Sequence, residues 1–185
     1  RITGQLQHPS IVPVHELGVD EAGHAFYTMK LVHGVTLRQI LQDLSTHKPA
    51  ALRNYSLPSL LTVFQKTCDA VAFAHAQTAP IIHRDLKPDN IMVGNYGEVL
   101  VMDWGAAKIL RGEASSDFDA EDFDPTEECP PDVSIDEIAF ATWPGMAMGT
   151  PGYMAPEQAR GEAAAWDERT AIYALGAILY RLLTL

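Results

Sequence analysis

Residues 81–105 constrain this chain more than any other stretch. They place His83-Arg84-Asp85-Leu86-Lys87-Pro88-Asp89-Asn90 ahead of two short apolar runs, 91–93 and 99–102, which flank Gly94-Asn95-Tyr96-Gly97-Glu98, and they end on Asp103-Trp104-Gly105. A turn of Gly and Asn between β-prone runs reads as a hairpin. Asp85 and Asn90 therefore lie on one loop, and the hairpin turns the chain back so that Asp103, 18 residues after Asp85, can converge on them. Further on comes Gly149-Thr150-Pro151-Gly152-Tyr153-Met154-Ala155-Pro156-Glu157. Each block is short, but their joint occurrence in this order by chance is negligible.

The first block is H-R-D-x-x-x-x-N in full, the second differs from D-F-G only by Trp for Phe, and the third contains A-P-E. Together they resemble the eukaryotic-like (Hanks-type) serine/threonine protein kinases, and the phrase running on into Gln158 is similar to the bacterial branch. The resemblance covers essentially the whole chain. It implies an α+β, bilobal protein-kinase-like fold that is incomplete, with the small lobe mostly missing and the large lobe truncated after the family's F helix. Residues 1–32 would supply the end of the C helix, the fourth and fifth strands and the hinge. Residues 33–185 would supply the front part of the helical large lobe, with a long activation loop over 103–157.

The implied reaction moves the γ-phosphate of ATP to Ser and Thr hydroxyls of protein substrates. Such transfer needs little covalent work from the protein, so positioning and charge neutralisation dominate. By resemblance, Asp85 is the catalytic base, Lys87 faces the transferring phosphate, and Thr150 links Asp85 to Lys87. Asn90 and Asp103 are the ligands of Mg²⁺, supplying oxygen to a hard cation. The adenine pocket falls on Met29 as gatekeeper, the Lys30 carbonyl, the Val32 amide and Met92 beneath the ring. Arg84 resembles the arginine that pairs with a phosphorylated activation loop. Thr142 is then the first candidate for the modified residue, ahead of Ser134, Thr126, Ser115 and Ser116.

Three departures from the family follow. There is no G-x-G-x-x-G and no V-A-I-K, and the C-helix Glu would fall before Arg1. Since the glycine loop and the Lys–Glu pair must be in place for turnover, residues 1–185 alone are expected not to phosphorylate at a normal rate. Ala171 stands where relatives usually carry an Asp that ties the F helix to the backbone of the catalytic loop. Restoring it as Asp is expected to raise stability or activity. The third departure is the stretch from Asp103 to Glu157, which is longer than usual in the family.

That stretch also explains the charge. The chain carries 24 acidic against 13 basic residues, a net charge of −11, and eleven of the acids fall within 113–137, leaving 13 acids against 13 bases elsewhere. No Lys or Arg occurs over 112–148. Nucleic-acid binding needs a basic surplus on one face, so no nucleic-acid partner is expected. A membrane-surface helix is disfavoured on the same ground. The most apolar stretch, 171–180, falls far short of the roughly 20 residues of a membrane span. No membrane contact from this segment is expected, although a part of the parent outside it could carry an anchor. The acidic run reads either as a solvated disordered insert or as a regulatory one that docks on Arg84 or attracts a basic substrate. Cys68 and Cys129 make no metal or redox pair and suggest a reducing, cytoplasmic setting.

Periodicity supplies the remaining elements. Residues 1–7 read as the end of a helix stopped by His8-Pro9. The runs 11–17 and 25–32 form a hairpin. Residues 36–44 form a helix with Thr36 as N-cap. A longer helix follows, entered through Pro58, with a face of Leu60, Leu61, Phe64, Cys68, Val71, Ala72 and His75. A polar loop joins the two helices. After Gly105 no pattern is legible until about residue 157, and residues 170–185 are again helical. Asp89 reads as a turn residue, His83 as packed and hydrogen-bonded, Trp104 as an apolar plug, and Tyr27, Phe64 and Phe73 as core. His8, His15, His24, His33 and His75 show no metal-ligand spacing. Two other functions share part of this pattern. A small-molecule phosphotransferase also uses H-x-D-x-x-x-x-N, but the 150–157 segment argues against it. A pseudokinase acting as a binding module would suit Ala171, but not the intact Asp85, Lys87, Asn90 and Asp103.

Overall fold

A computed structural model describes residues 6–19, 24–104, 107–109 and 149–185. The acidic run 113–137, the candidate phosphosites, Gly105, Cys129 and residues 1–5 lie outside these. Among the described residues the architecture is α+β, with three small sheets and five α-helices.

Strands β1 (Val14–Val19) and β2 (Ala25–Met29) pair antiparallel, with Leu17 opposite Tyr27 and Val14 opposite Met29. The first strand starts later than the apolar run 11–17 suggests. Its leading residues go elsewhere: Val101 N–H donates to the Ser10 carbonyl at 2.8 Å, and Val12 N–H to the Val101 carbonyl at 3.1 Å. Pro13, with no N–H to give, marks the switch from one partner to the other. The second strand ends at Met29, where Lys30 N–H still reaches the Pro13 carbonyl at 3.0 Å.

A short strand absent from the sequence expectation, β3 (Gly34–Thr36), pairs with β5 (Ile91–Gly94), and β5 pairs with β6 (Val99–Val101) as the expected hairpin. The backbones come so close at Gly34 that a Cβ there would collide with the Val93 carbonyl oxygen, so glycine is required. Helix α1 (Leu37–Ser45) follows at once. Its N-cap is Thr36, whose hydroxyl accepts from Gln39 N–H at 3.1 Å, and its buried face is Leu37, Ile40, Leu41 and Leu44. Both the cap and the face are as the 3.6-residue period predicts.

The connection expected to be a polar loop contains a further short helix, α2 (Pro49–Asn54), started by Pro49 and anchored through buried Ala51. Helix α3 (Leu57–His75) begins at the Ser56 N-cap with Pro58 in its first turn. Its buried stripe is Leu60, Val63, Thr67, Ala70, Val71 and Ala74, rotated from the expected face, so Leu61 is 40% exposed. Small residues lie inward because α3 packs on β6, on β4 (Ile81–Ile82) and on α5 (Glu168–Thr184). Thr67 is tolerated there since its hydroxyl donates to the Val63 carbonyl at 2.9 Å.

Two elements fall in the stretch that showed no pattern. Strand β7 (Lys108–Ile109) pairs with β4, and α4 (Pro156–Ala159) opens at Pro156. Helix α5 is capped by the Asp167 carboxylate, which accepts from Arg169 N–H at 2.8 Å, and it buries Thr170, Ala171, Ala174, Ile178 and Leu182. One core joins α1, α3, the β4 isoleucines, the β5–β6 hairpin and α5. No helix among the described residues is long and apolar enough to cross a membrane.

Candidate active site

The site is the loop between β4 and β5. Ile81, Ile82 and Ile91 are fully buried at its two ends, so the eight residues between them are held by core on both sides. Leu86, 2% exposed, pins the middle. Asp85 and Lys87, on either side of this anchor, turn their side chains toward Thr150.

Three of the predicted residues meet directly. Lys87 Nζ donates to Asp85 Oδ2 at 2.6 Å and to Thr150 Oγ1 at 2.7 Å, while the Thr150 hydroxyl donates to Asp85 Oδ1 at 2.8 Å. Both carboxylate oxygens of Asp85 are thus engaged and its orientation is fixed. Asn90, 8% exposed, donates through Nδ2 to the Asp85 backbone carbonyl at 2.9 Å, which braces the loop across its width.

Thr150 is delivered by a turn whose backbone suits glycine. Gly149 has φ +129°, and a Cβ at that position would press on Met154 Cγ at 3.1 Å. Residues 149–158 are tied to the β4–β5 loop through Gln158, which is buried. Its Nε2 donates to the Arg84 carbonyl at 2.6 Å and its Oε1 accepts from Ala155 N–H at 3.1 Å. At the other end Glu157 accepts from the Thr170 hydroxyl at 2.7 Å, joining the segment to α5.

Asp103 adopts φ +59°, a left-handed conformation that Asp tolerates better than most residues. The Tyr27 hydroxyl donates to its Oδ1 at 3.5 Å. Tyr27 is therefore not simply core: it is 39% exposed and faces the carboxylate. Burial first, then the Asp103 charge and the hydrogen bond to it, push the Tyr27 hydroxyl pKa up, so it stays a donor. The period-2 pairing of Tyr27 with Met29 on one face of β2 was the signal available in the sequence. Phe64 and Phe73 do pack against the core, partly buried.

His83 is 1% exposed, with Nε2 2.8 Å from the Met102 carbonyl and its ring 4.7 Å from that of Trp104. Burial lowers its pKa, against the opposing pull of that carbonyl and of Asp103 and Asp85, so the ring is neutral and structural. Trp104 is the expected plug, 2% exposed, and its indole N–H donates to the Val101 carbonyl at 3.1 Å. Arg84 is also buried, in a left-handed conformation at φ +65°. Its guanidinium lies over the Trp166 ring at 5.8 Å and donates to the Ala107 carbonyl at 3.4 Å, and desolvation lowers its pKa to about 10. Asp89 accepts from Arg38 Nη1 at 2.8 Å, a surface role consistent with a turn residue.

The expected adenine contacts are distributed around β2 and β5. Met29 ends β2 and is 41% exposed, Lys30 and Val32 lie on the connection to β3, and Met92 sits in β5 opposite Thr36 and Leu100. The β3–β5 register sets Gly34, where this connection enters β3, opposite Gly94, and Met92 opposite Thr36 at the other end of the strand. Asn90 and Asp103 present an amide and a carboxylate, oxygen donors of the kind Mg²⁺ takes. The Asn90 amide nitrogen is committed to the Asp85 carbonyl, so its oxygen is the atom left for a cation. Among the described residues no cluster of three or more His, Cys, Asp or Glu could hold a metal by itself.

The chain matches the protein kinase domain family over residues 1–185. It is 42% identical over 190 residues to the serine/threonine-protein kinase PknD of Protochlamydia amoebophila, covering all of this chain and 18% of that protein. It is 41% identical over 191 residues to PknD of Chlamydia caviae, covering all of this chain and 19% of that protein. The chain thus spans less than a fifth of the length of these curated relatives.

Proposed function

Since this chain belongs to the protein kinase domain family, we propose that the protein carrying it transfers the γ-phosphate of ATP to Ser and Thr hydroxyls of other proteins. The Asp85–Lys87–Thr150 triangle carries this reading. A carboxylate with both oxygens oriented can accept the hydroxyl proton of an incoming Ser or Thr within hydrogen-bond reach. Lys87 then serves two ends, holding Asp85 in place and keeping a positive charge where phosphate charge arrives. Thr150 orients the pair and excludes water from between them. Mg²⁺ held by Asn90 and Asp103 would supply neutralisation of the phosphate charges. Met29, the Lys30 carbonyl, the Val32 amide and Met92 would line the adenine site, with residues 1–32 forming its small-lobe side and 33–185 its large-lobe side.

The relatives are named as serine/threonine-protein kinases, which disfavours both the scaffold and the small-molecule phosphotransferase alternatives. We place the catalytic domain in the cytoplasm, where ATP is available and the free thiol of Cys68 stays reduced. The deciding experiment is Asp85→Asn in the full-length protein. Loss of a positioned base is expected to cut kcat by about 10²- to 10⁴-fold, with little change in the KM for ATP. A kcat within tenfold of wild type would show that Asp85 is not the base.

A further inference from the structure

A cleft of about 390 Å³ opens beside the Asp85–Lys87–Thr150 triangle. Thr150 itself forms part of its wall, followed by Pro151 and Tyr153. Three charged residues from separate elements complete it: Arg38 from α1, Asp89 from the 3₁₀ turn before β5, and Arg181 from the last turn of α5. Their charges do not balance. Arg38 and Asp89 are paired at 2.8 Å, whereas among the described residues no ion pair engages Arg181, which is exposed. Arg181 is electrostatically close to the cleft wall. Burial raises the Tyr153 hydroxyl pKa, and the Arg181 charge acts against that rise together with Arg38, while Asp89 reinforces it.

We propose that this cleft binds a carboxylate side chain of the protein substrate, Asp or Glu, lying within a few residues of the acceptor Ser or Thr, and that Arg181 reads it. The inference rests on the kinase reading above. Continuity is the first support: the wall that holds the carboxylate pocket also contains the hydroxyl fastened to Asp85, so a peptide presenting its acceptor there runs on into the cleft. Chemistry is the second. A guanidinium offers a planar fork of donors that matches a carboxylate, and Arg181 has this fork unspent on any described carboxylate. The chain's net charge of −11 would repel acidic peptides at long range, but screening beyond about 8 Å at physiological ionic strength leaves the contact in the cleft to decide.

The test uses the full-length protein and peptides with one Ser or Thr in an alanine background, in which a single Glu is moved from four positions before the acceptor to four after it. Matched series carry Lys or only Ala. Glu at one or two adjacent positions is expected to raise kcat/KM roughly three- to tenfold over the alanine peptide, mainly through KM, as befits a partly exposed charge pair. Arg181→Ala is expected to abolish that ratio, Arg181→Lys to keep part of it, and Arg181→Glu to shift it to the Lys peptides. Equal efficiency for all peptides, a basic preference in the wild type, or an acidic preference that survives Arg181→Ala would each overturn the inference and leave the kinase reading standing. No transfer to any peptide by the wild type would overturn the kinase reading and this inference with it. The wild-type peptide scan needs no variant, so a variant that fails to fold does not protect the proposal.

Discussion

Thr150 shows how much of the site rests on single atoms. Its hydroxyl accepts from Lys87 and donates to Asp85, so removing it leaves one donor and one acceptor to find water inside a half-buried cluster. Hydrogen bonds to charged groups are worth about 1.5–3 kcal/mol each. Thr150→Val is therefore expected to lower kcat about 10- to 100-fold, and Thr150→Ser to restore most of it, measured as steady-state kcat on one peptide. His83 gives a pH signature. Its pKa is lowered in the folded protein from an unfolded value near 6.5, so above that value neither state is charged and stability is unaffected. As pH falls below about 6.5 the unfolded chain takes the proton and the native ring resists, so stability drops by up to about 1.4 kcal/mol per pH unit. Urea unfolding between pH 7 and 5 should show this slope in the wild type and a shallower one in His83→Gln. Equal slopes would remove His83 from the account.

At the scale of elements, α5 is the support behind the loop. It packs on α3 and β4, and its first turn holds the segment carrying Thr150 through the Thr170–Glu157 bond of 2.7 Å. Ala171, next to Thr170, is 2% exposed and has no polar atom to offer its neighbours. Ala171→Asp is expected to stabilise by about 1 kcal/mol, raising Tm by about 2–4 °C for a domain of this size, because a carboxylate there can accept from backbone N–H groups of the loop. A lowered Tm in differential scanning calorimetry would mean that the buried charge meets no donors. Helices α1, α3 and α5 were legible because each repeats apolar residues over several turns, α1 behind its Thr36 cap and α3 behind Pro58, whereas the Ser56 and Asp167 caps emerged only in the structure. Strands β3 and β7 were not, since runs of three and two residues have no period to detect. They form where β5 and β4 offer open edges. Helix α2 was hidden in the same way, its six residues burying only Ala51.

For the molecule as a whole, the charge of −11 sits in one segment, and the rest of the sequence is balanced. Deleting residues 113–137 should leave Tm unchanged and kcat within about twofold if the acidic run is only solvated chain, since exposed unpaired charges contribute little to stability. A change of tenfold or more in peptide kinetics would make it regulatory. The sequence by itself determined which side chains are available: H-R-D-x-x-x-x-N, D-W-G and A-P-E fix their identity and order, and the hairpin between the first two turns the chain back. Local spacing also set the long helices, because burial of a periodic face needs only nearest-neighbour information. Tertiary structure decided what those side chains touch. Tyr27 became a partner of Asp103, Gln158 a brace beneath Arg84, and Arg181 an unmatched charge on the wall of a cleft, each across more than 70 residues of chain or from a separate element. Contacts at such separations depend on how the core stacks α5 and β2 around the loop, and no local period in the sequence encodes that.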